Sequence, residues 1–276
     1  MRPSAPARIA PFMSAGTALL LLAGCAADPA TAPDRAPGLP LAEIVAPLHE
    51  PAGFTRYVVQ GMSGRPAPGW ARVPRAVTFG TDPKAPLSPG GFARMTYPTG
   101  FLGGRAPGTT GTKSFGGRRP QELYVRLGVR VSANWYGHPS TVNKILHFWT
   151  TVPQRNMVYL ALSGAGKQPL GIRVVCQGTP NDAACTRLLA NTRVRSGFSR
   201  GAWHVIEVYL RLNTRGQADG VLRLWLDGVL THDYRTLRLD AAAWSLVDWS
   251  PTWGGMSGVL SAPQAMDVDE IYVSGR

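Results

Sequence analysis

Leu123-Tyr124-Val125-Arg126-Leu127-Gly128-Val129-Arg130-Val131 alternates without a break: every odd position is apolar, and the even positions carry Tyr, Arg, Gly and Arg. A period of two places the two sets on opposite faces of a strand, whereas a helix would repeat every 3.6 residues. Trp203 to Leu212 does the same, with Ile206, Val208, Leu210 and Leu212 inward and Glu207, Tyr209 and Arg211 outward. In Val221 to Asp227, Leu222, Leu224 and Leu226 point inward and Arg223, Trp225 and Asp227 outward. Asp227-Gly228 before Val-Leu is a hairpin signal, and Asp269 to Val273 reads as a last strand. Helical periodicity is hard to find after residue 52, and Gly and Pro punctuate the remainder: Ser88-Pro-Gly-Gly, Gly103-Gly104, Gly116-Gly117, Gly254-Gly255. The expected fold is all-β, an antiparallel β-sandwich or jelly roll. One face of each sheet should pack into the core and the other meet solvent or ligand.

The chain start is a different kind of sequence. Arg2 and Arg8 precede a short apolar run that ends Leu22-Ala23-Gly24-Cys25. A positive beginning, a brief apolar stretch and small residues at a cleavage point read as a secretory signal over residues 1–24. The run is shorter than the roughly 20 residues a spanning helix needs. Its ending resembles the bacterial lipobox, which implies a Cys25 that is acylated and becomes the mature N-terminus. The expectation is a protein exported across the inner membrane and lipid-anchored in the cell envelope, at the outer membrane, touching the membrane through its lipid alone. Residues 25–51, rich in Ala and Pro, read as a tether that cannot bury enough surface to order itself. Residues 52–276 are then one domain, long enough for a large core.

Cys176 and Cys185 remain as a pair flanking the turn-rich Gln-Gly-Thr-Pro-Asn-Asp-Ala-Ala. In an oxidising compartment a disulfide is expected; neither the Cys-x-x-Cys spacing nor the His neighbours of a metal site are present. The formal net charge is +13, carried mainly by arginine, with lysine only at Lys84, Lys113, Lys144 and Lys167. Such a balance fits an acidic partner as well as it fits a GC-rich genome. Among acidic partners a polysaccharide is preferred, and no nucleic-acid motif appears.

Several stretches together resemble the concanavalin A-like jelly-roll superfamily, and within it the small polysaccharide-lyase-like proteins. They are Tyr97-Pro-Thr-Gly-Phe-Leu-Gly-Gly, Glu122-Leu-Tyr-Val-Arg, Asn134-Trp-Tyr-Gly-His138, Val142-Asn-Lys-Ile-Leu-His-Phe-Trp149, Gly201-Ala-Trp-His-Val-Ile-Glu-Val, Leu222-Arg-Leu-Trp-Leu-Asp-Gly228 and Asp269-Glu-Ile-Tyr-Val-Ser-Gly. The resemblance implies a carbohydrate-facing sheet. It fixes no individual residue's role, because the superfamily also holds glycosidases and lectins.

Cleaving a uronic-acid polymer by β-elimination requires a group that neutralises the sugar carboxylate, a base for the proton beside it, and an acid for the leaving oxygen. His147 is the expected base, Tyr209 the expected acid and Arg211 the expected carboxylate clamp. Tyr124, Arg126, Arg130, His138, Asn143, Lys144, Arg223 and Trp225 are the expected substrate contacts, provided these strands share one sheet. His147 could equally be a satisfied histidine on a half-buried strand, and Tyr209 and Trp225 could be cross-strand packing partners. His204 falls on the apolar parity and reads as structural. The alternative is a carbohydrate-binding lipoprotein without chemistry. A glycosidase, which needs two flanking carboxyl groups, finds only Glu207 and Asp227 on matching parity. No cofactor and no metal are expected; Asp267, Asp269 and Glu270 would be the ligands of a structural calcium, if one were held.

Overall fold

In the computed structural model, the described residues are 47–62, 77–87, 91–108, 111–151, 157–178, 185, 187–193 and 197–276. Cys25, the signal segment and most of the tether lie outside them. The strands are β1 (Thr55–Gln60), β2 (Val77–Thr81), β3 (Gly91–Tyr97), β4 (Gly111–Ser114), β5 (Glu122–Val131), β6 (Asn143–Thr150), β7 (Met157–Ser163), β8 (Gly171–Gln177), β9 (His204–Arg211), β10 (Gly220–Leu226), β11 (Val229–Leu237), β12 (Trp244–Trp249) and β13 (Gln264–Gly275). They form an eight-stranded sheet in the order β11-β10-β9-β5-β13-β3-β2, with β1 also paired to β13, and a five-stranded sheet in the order β4-β12-β6-β7-β8. All pairings are antiparallel. The all-β jelly-roll sandwich expected from the alternation is the observed fold.

The alternating apolar sets build one core between the sheets. Leu123, Val125, Leu127, Val129, Ile206, Val208, Leu210, Leu222, Leu224, Val268 and Ile271 meet Leu146, Phe148, Val158, Leu160, Leu162, Val174, Trp244 and Val247. Burial of so many large side chains on both inner faces holds the two layers together. The Asp227-Gly228 signal is a two-residue hairpin between β10 and β11, both residues having positive φ (52° and 77°), as a type I′ turn requires.

β13 breaks the strict period where the register shifts between Asp269 and Ile271. The extra residue, Glu270, takes φ 41°, a left-handed value costly for a non-glycine and characteristic of a bulge. Asp269 therefore stays outward while Ile271 and Val273 return to the core. This strand lies between β5 and β3, so its carboxylates are not protecting a sheet edge, the commoner role for such charges.

The Cys176–Cys185 disulfide is formed, with a Cα–Cα separation of 5.2 Å. Main-chain bonds from Cys176 to Cys185 and in both directions between Val174 and Leu188 lay the returning chain along β8, covering that edge of the five-stranded sheet. Ordered contacts begin earlier than residue 52, within the stretch read as tether. The His49 ring lies flat on Trp225 (4.5 Å, 9°) and Glu50 accepts a hydrogen bond from the Tyr272 hydroxyl at 2.8 Å.

Candidate functional site

The strands expected to carry the site divide between the two sheets. β5, β9 and β10 adjoin one another, so Tyr124, Arg126, Arg130, Tyr209, Arg211, Arg223 and Trp225 do share the outer face of the eight-stranded sheet. His147, Lys144 and Asn143 are on β6, in the other sheet. His147 points away from the core between Leu146 and Phe148, and Tyr209 does so between Val208 and Leu210. The two side chains thus lie on opposite outer surfaces of the sandwich, and the trio His147, Tyr209 and Arg211 does not converge.

On the eight-stranded face, nearly every polar group has an internal partner. Tyr124 is fully buried, and its hydroxyl donates to Glu207. Glu207 also accepts from the His49 main-chain N–H at 3.1 Å. Arg126 is paired with Glu270. Arg130 joins Asp82 and Asp267 and stacks on Trp203, 4.5 Å from the ring centroid. Asp267 is also gripped by Arg94, 2.7 Å away, and Asp269 accepts from Leu87 N–H. The three carboxylates of the calcium expectation are thus occupied by guanidinium and amide groups. Tyr209 donates to Glu122 at 2.6 Å; burial, then this carboxylate, pushes its hydroxyl up to about 12. Arg223 pairs with Asp233, and His49 covers Trp225. Arg211 donates to the Asp219 carbonyl. Nor can the glycosidase carboxylates act as a pair: Glu207 is buried under Tyr124 and His49, and Asp227 is bonded to His204 and to Val205 N–H. His204, whose Nε2 accepts from Ser199 N–H, is structural as expected.

Two loop and strand-end residues are also structural. His138 is 2% exposed. Its Nδ1 meets Ser140 Oγ, its Nε2 meets the Ser257 carbonyl, and its ring stands edge-on to Trp253. A Cβ on Gly254 would collide with the ring, so the glycine at 254 is there for close approach. Asn143 is wholly buried and its Oδ1 accepts from His138 N–H at 3.0 Å. Both hold the loop before β6 in place and neither is open to a substrate.

The outer face of the five-stranded sheet is built differently. Its register sets Asp248, His147, Tyr159 and Val175 on one rung across β12, β6, β7 and β8. Ala161 and Arg173 share the neighbouring rung with Lys144. The Lys144 ammonium lies 5.0 Å from the Tyr159 ring centroid, His147 is 5.7 Å from the same ring, and Trp149 stacks beside His147 at 6.3 Å and 21°. Among the described residues no carboxylate pairs with Lys144 or Arg173. Arg173 Nε and His147 Nδ1 are buried without a hydrogen-bond partner.

Burial and the Lys144 charge bring His147 down to about 4, against a smaller raising effect from the Asp248 main chain. Near neutral pH the imidazole is uncharged and able to take a proton. Desolvation raises the Tyr159 hydroxyl, with Arg173 pulling it back, so it holds its proton. The Lys144 ammonium is brought down by burial. This face therefore gathers a neutral imidazole, a protonated phenol, two unpaired cations and a Trp platform.

No protein-family model and no curated sequence matches this chain. Solved structures do. The alginate lyase of Aplysia kurodai superposes with a TM-score of 0.56 at 12% identity, over 80% of this chain and 100% of that one. An endo-β-1,4-glucuronan lyase from the fungus Trichoderma reesei gives 0.52 at 18%, over 80% and 96%. The alginate lyase Aly36B gives 0.52 at 14%, over 71% and 86%.

What the chain shares with these structures is the all-β jelly-roll fold. Of the residues gathered on the outer face of the five-stranded sheet, sequence reasoning singled out His147 and Lys144 and passed over Tyr159, Arg173 and Trp149. Their signal was available. Met157 to Ser163 and Gly171 to Gln177 place Val158, Leu160, Leu162, Ile172, Val174 and Cys176 inward and Tyr159 and Arg173 on the outward parity. The alternation is weaker than that of β5, because Met157, Ala161 and Val175 are also outward.

Proposed function

We propose that this protein is a polysaccharide lyase that cleaves a uronic-acid polymer by β-elimination on the outer face of the five-stranded sheet, held at the cell envelope by a lipid on Cys25. The observation that carries the reading is the set Lys144, His147, Tyr159 and Arg173 on adjoining rungs, with the two cations lacking a carboxylate partner among the described residues. An incoming uronate carboxylate supplies the missing counter-charge, and Arg173 and Lys144 stabilise the further charge that builds on it as the neighbouring proton leaves. His147 takes that proton, its uncharged ring having Nδ1 free of any partner. The bound carboxylate also raises the basicity of the imidazole by opposing Lys144. Tyr159 gives its proton to the glycosidic oxygen as the carbon–oxygen bond breaks, leaving an unsaturated sugar end. Trp149 offers a face for the sugar ring to stack on.

The test is ultraviolet absorbance from unsaturated uronate ends when the purified protein meets alginate or glucuronan. A rise is expected, falling about 10²–10⁴-fold in Tyr159→Phe and in His147→Gln with the melting temperature kept. Activity should sediment with membranes in cells, and should not do so for Cys25→Ser. A rise that survives both site variants would place the chemistry elsewhere. Binding without any rise would make the protein a carbohydrate-binding one.

A further inference from the structure

A cavity of about 870 Å³ opens where β9 runs into the turn before β10, and shares no residue with the five-stranded face. That volume lies within the range of small-ligand sites. Three arginines line it. Arg211 donates through Nη2 to the Asp219 carbonyl at 2.9 Å, and Arg238 through Nη2 to the Gly216 carbonyl at 3.0 Å. Arg238 Nε is buried without a partner. Arg215 is exposed and forms no ion pair among the described residues. A guanidinium has five donors, and among the described residues none of these groups is bonded to a carboxylate, which leaves several donors unfilled.

The carboxylates of the same cavity are engaged elsewhere. Glu122 accepts from Tyr209 and Arg276, Asp219 from the Thr214 N–H and hydroxyl, both at 2.7 Å, and Asp240 from the Asn213 amide at 3.0 Å. Each carboxylate retains lone pairs. Unfilled guanidinium donors beside carboxylate acceptors, over the apolar floor of Leu212 and Ala241, are complementary to a molecule that carries both a carboxylate and hydroxyl groups. A bare anion such as phosphate would meet the charges of Glu122, Asp219 and Asp240, and a neutral sugar would leave the guanidinium groups unmatched.

We infer that this cavity is a second binding site, for a carboxylate-bearing oligosaccharide, with Arg211 and Arg238 gripping the acid group and Asp219 and Asp240 receiving hydroxyls. The polymer's identity rests on the lyase reading above; the cavity's chemistry does not. The site would hold one stretch of an acidic chain while the opposite sheet works on another, which increases the effective concentration of substrate.

The experiment is a calorimetric titration of the full chain, in the Tyr159→Phe background, with alginate tetrasaccharide. Cellotetraose and inorganic phosphate serve as the neutral and bare-anion probes. Arg238→Gln should weaken one class of site at least tenfold, as loss of a charge-assisted bond implies. Arg215→Gln, at an exposed position that folding does not need, should weaken it severalfold. An unchanged titration in both variants, or equal binding of cellotetraose or phosphate, overturns the inference. If the lyase reading alone is wrong, the protein with Tyr159 intact forms no unsaturated ends, yet the Arg238-dependent binding persists. If the cavity alone is wrong, the protein with Tyr159 intact is active and Arg238→Gln titrates like its parent.

Discussion

The two outer faces of the sandwich carry similar residue types and use them in opposite ways. On the eight-stranded face, the cations meet carboxylates of the same chain: Arg126 with Glu270, Arg130 with Asp82 and Asp267, Arg223 with Asp233. On the five-stranded face, Lys144 and Arg173 have none among the described residues, and His147 Nδ1 and Arg173 Nε are buried without partners. Where polar groups satisfy one another in this way, away from the cavity at the β9–β10 end, adding a ligand would only break bonds. A face with unmatched cations gains by binding an anion, and in the meantime bears a desolvation cost. The comparison predicts that substitutions of the ion-paired residues on the first face act on stability and those of the unmatched cations on the second act on function.

The largest expected effect is among the ion-paired residues. Arg126 and Glu270 are 4% and 12% exposed at their side chains. Arg126→Met strands Glu270 at a left-handed bulge, and breaking such a buried pair costs about 3–5 kcal/mol. Thermal melts should drop by roughly 10 °C for a domain of this size, while the folded protein keeps its rate on uronate polymer. A drop of only a degree or two would mean that the pairing on this face is ornamental and the contrast false.

A smaller effect is read by pH. His147 and His232 are each brought to about 4, burial being the largest cause for both. The unfolded chain takes up these protons near pH 6.5, whereas the folded chain does so only near 4. Between those values the unfolded state binds more protons, so stability is full above about pH 6.5 and falls as the pH drops towards 4. Each histidine accounts for up to about 3 kcal/mol over the window. In urea unfolding measured from pH 7 to pH 4, His147→Gln should remove roughly half of the slope. An unaltered slope would show that His147 already carries a proton in the folded protein, and would remove it as a base.

How much of this was legible follows from what alternation can say. It names the outward residues of a strand, and it named those of β5, β9 and β10 correctly. It does not name the strand's neighbours. β6 is flanked by β12 and β7, and β13 is inserted between β5 and β3, pairings set by long-range packing. For that reason His147 and Tyr209, both correctly read as outward, proved to be on opposite surfaces. The carboxylates that occupy Arg126 and Arg130 come from Glu270 and Asp267 on β13 and from Asp82, far along the chain. No local pattern announces such pairs. Tyr159 and Arg173 were readable, because β6, β7 and β8 follow one another and pair in sequence order. Had the parity of His147 been carried into the next two strands, it would have reached both.

The sharpest test of the contrast is also the smallest in energy. Arg173 is 8% exposed, its Nε lacks a partner, and burial and the nearby Arg187 both oppose its charge, while Tyr159 favours it. A residue kept in such a place against its own solvation is retained for something other than stability. Arg173→Met keeps the aliphatic packing beside Val175 and Tyr159 and deletes the unmatched cation. It should therefore leave the melting temperature unchanged or raise it, by about 1 kcal/mol in stability, while binding of a uronate oligosaccharide to this face weakens at least tenfold. The same exchange at Arg126, of the same residue type on the other sheet, loses stability and spares binding. If Arg173→Met melts lower than its parent, the cation has a structural partner, and the contrast between the two faces fails.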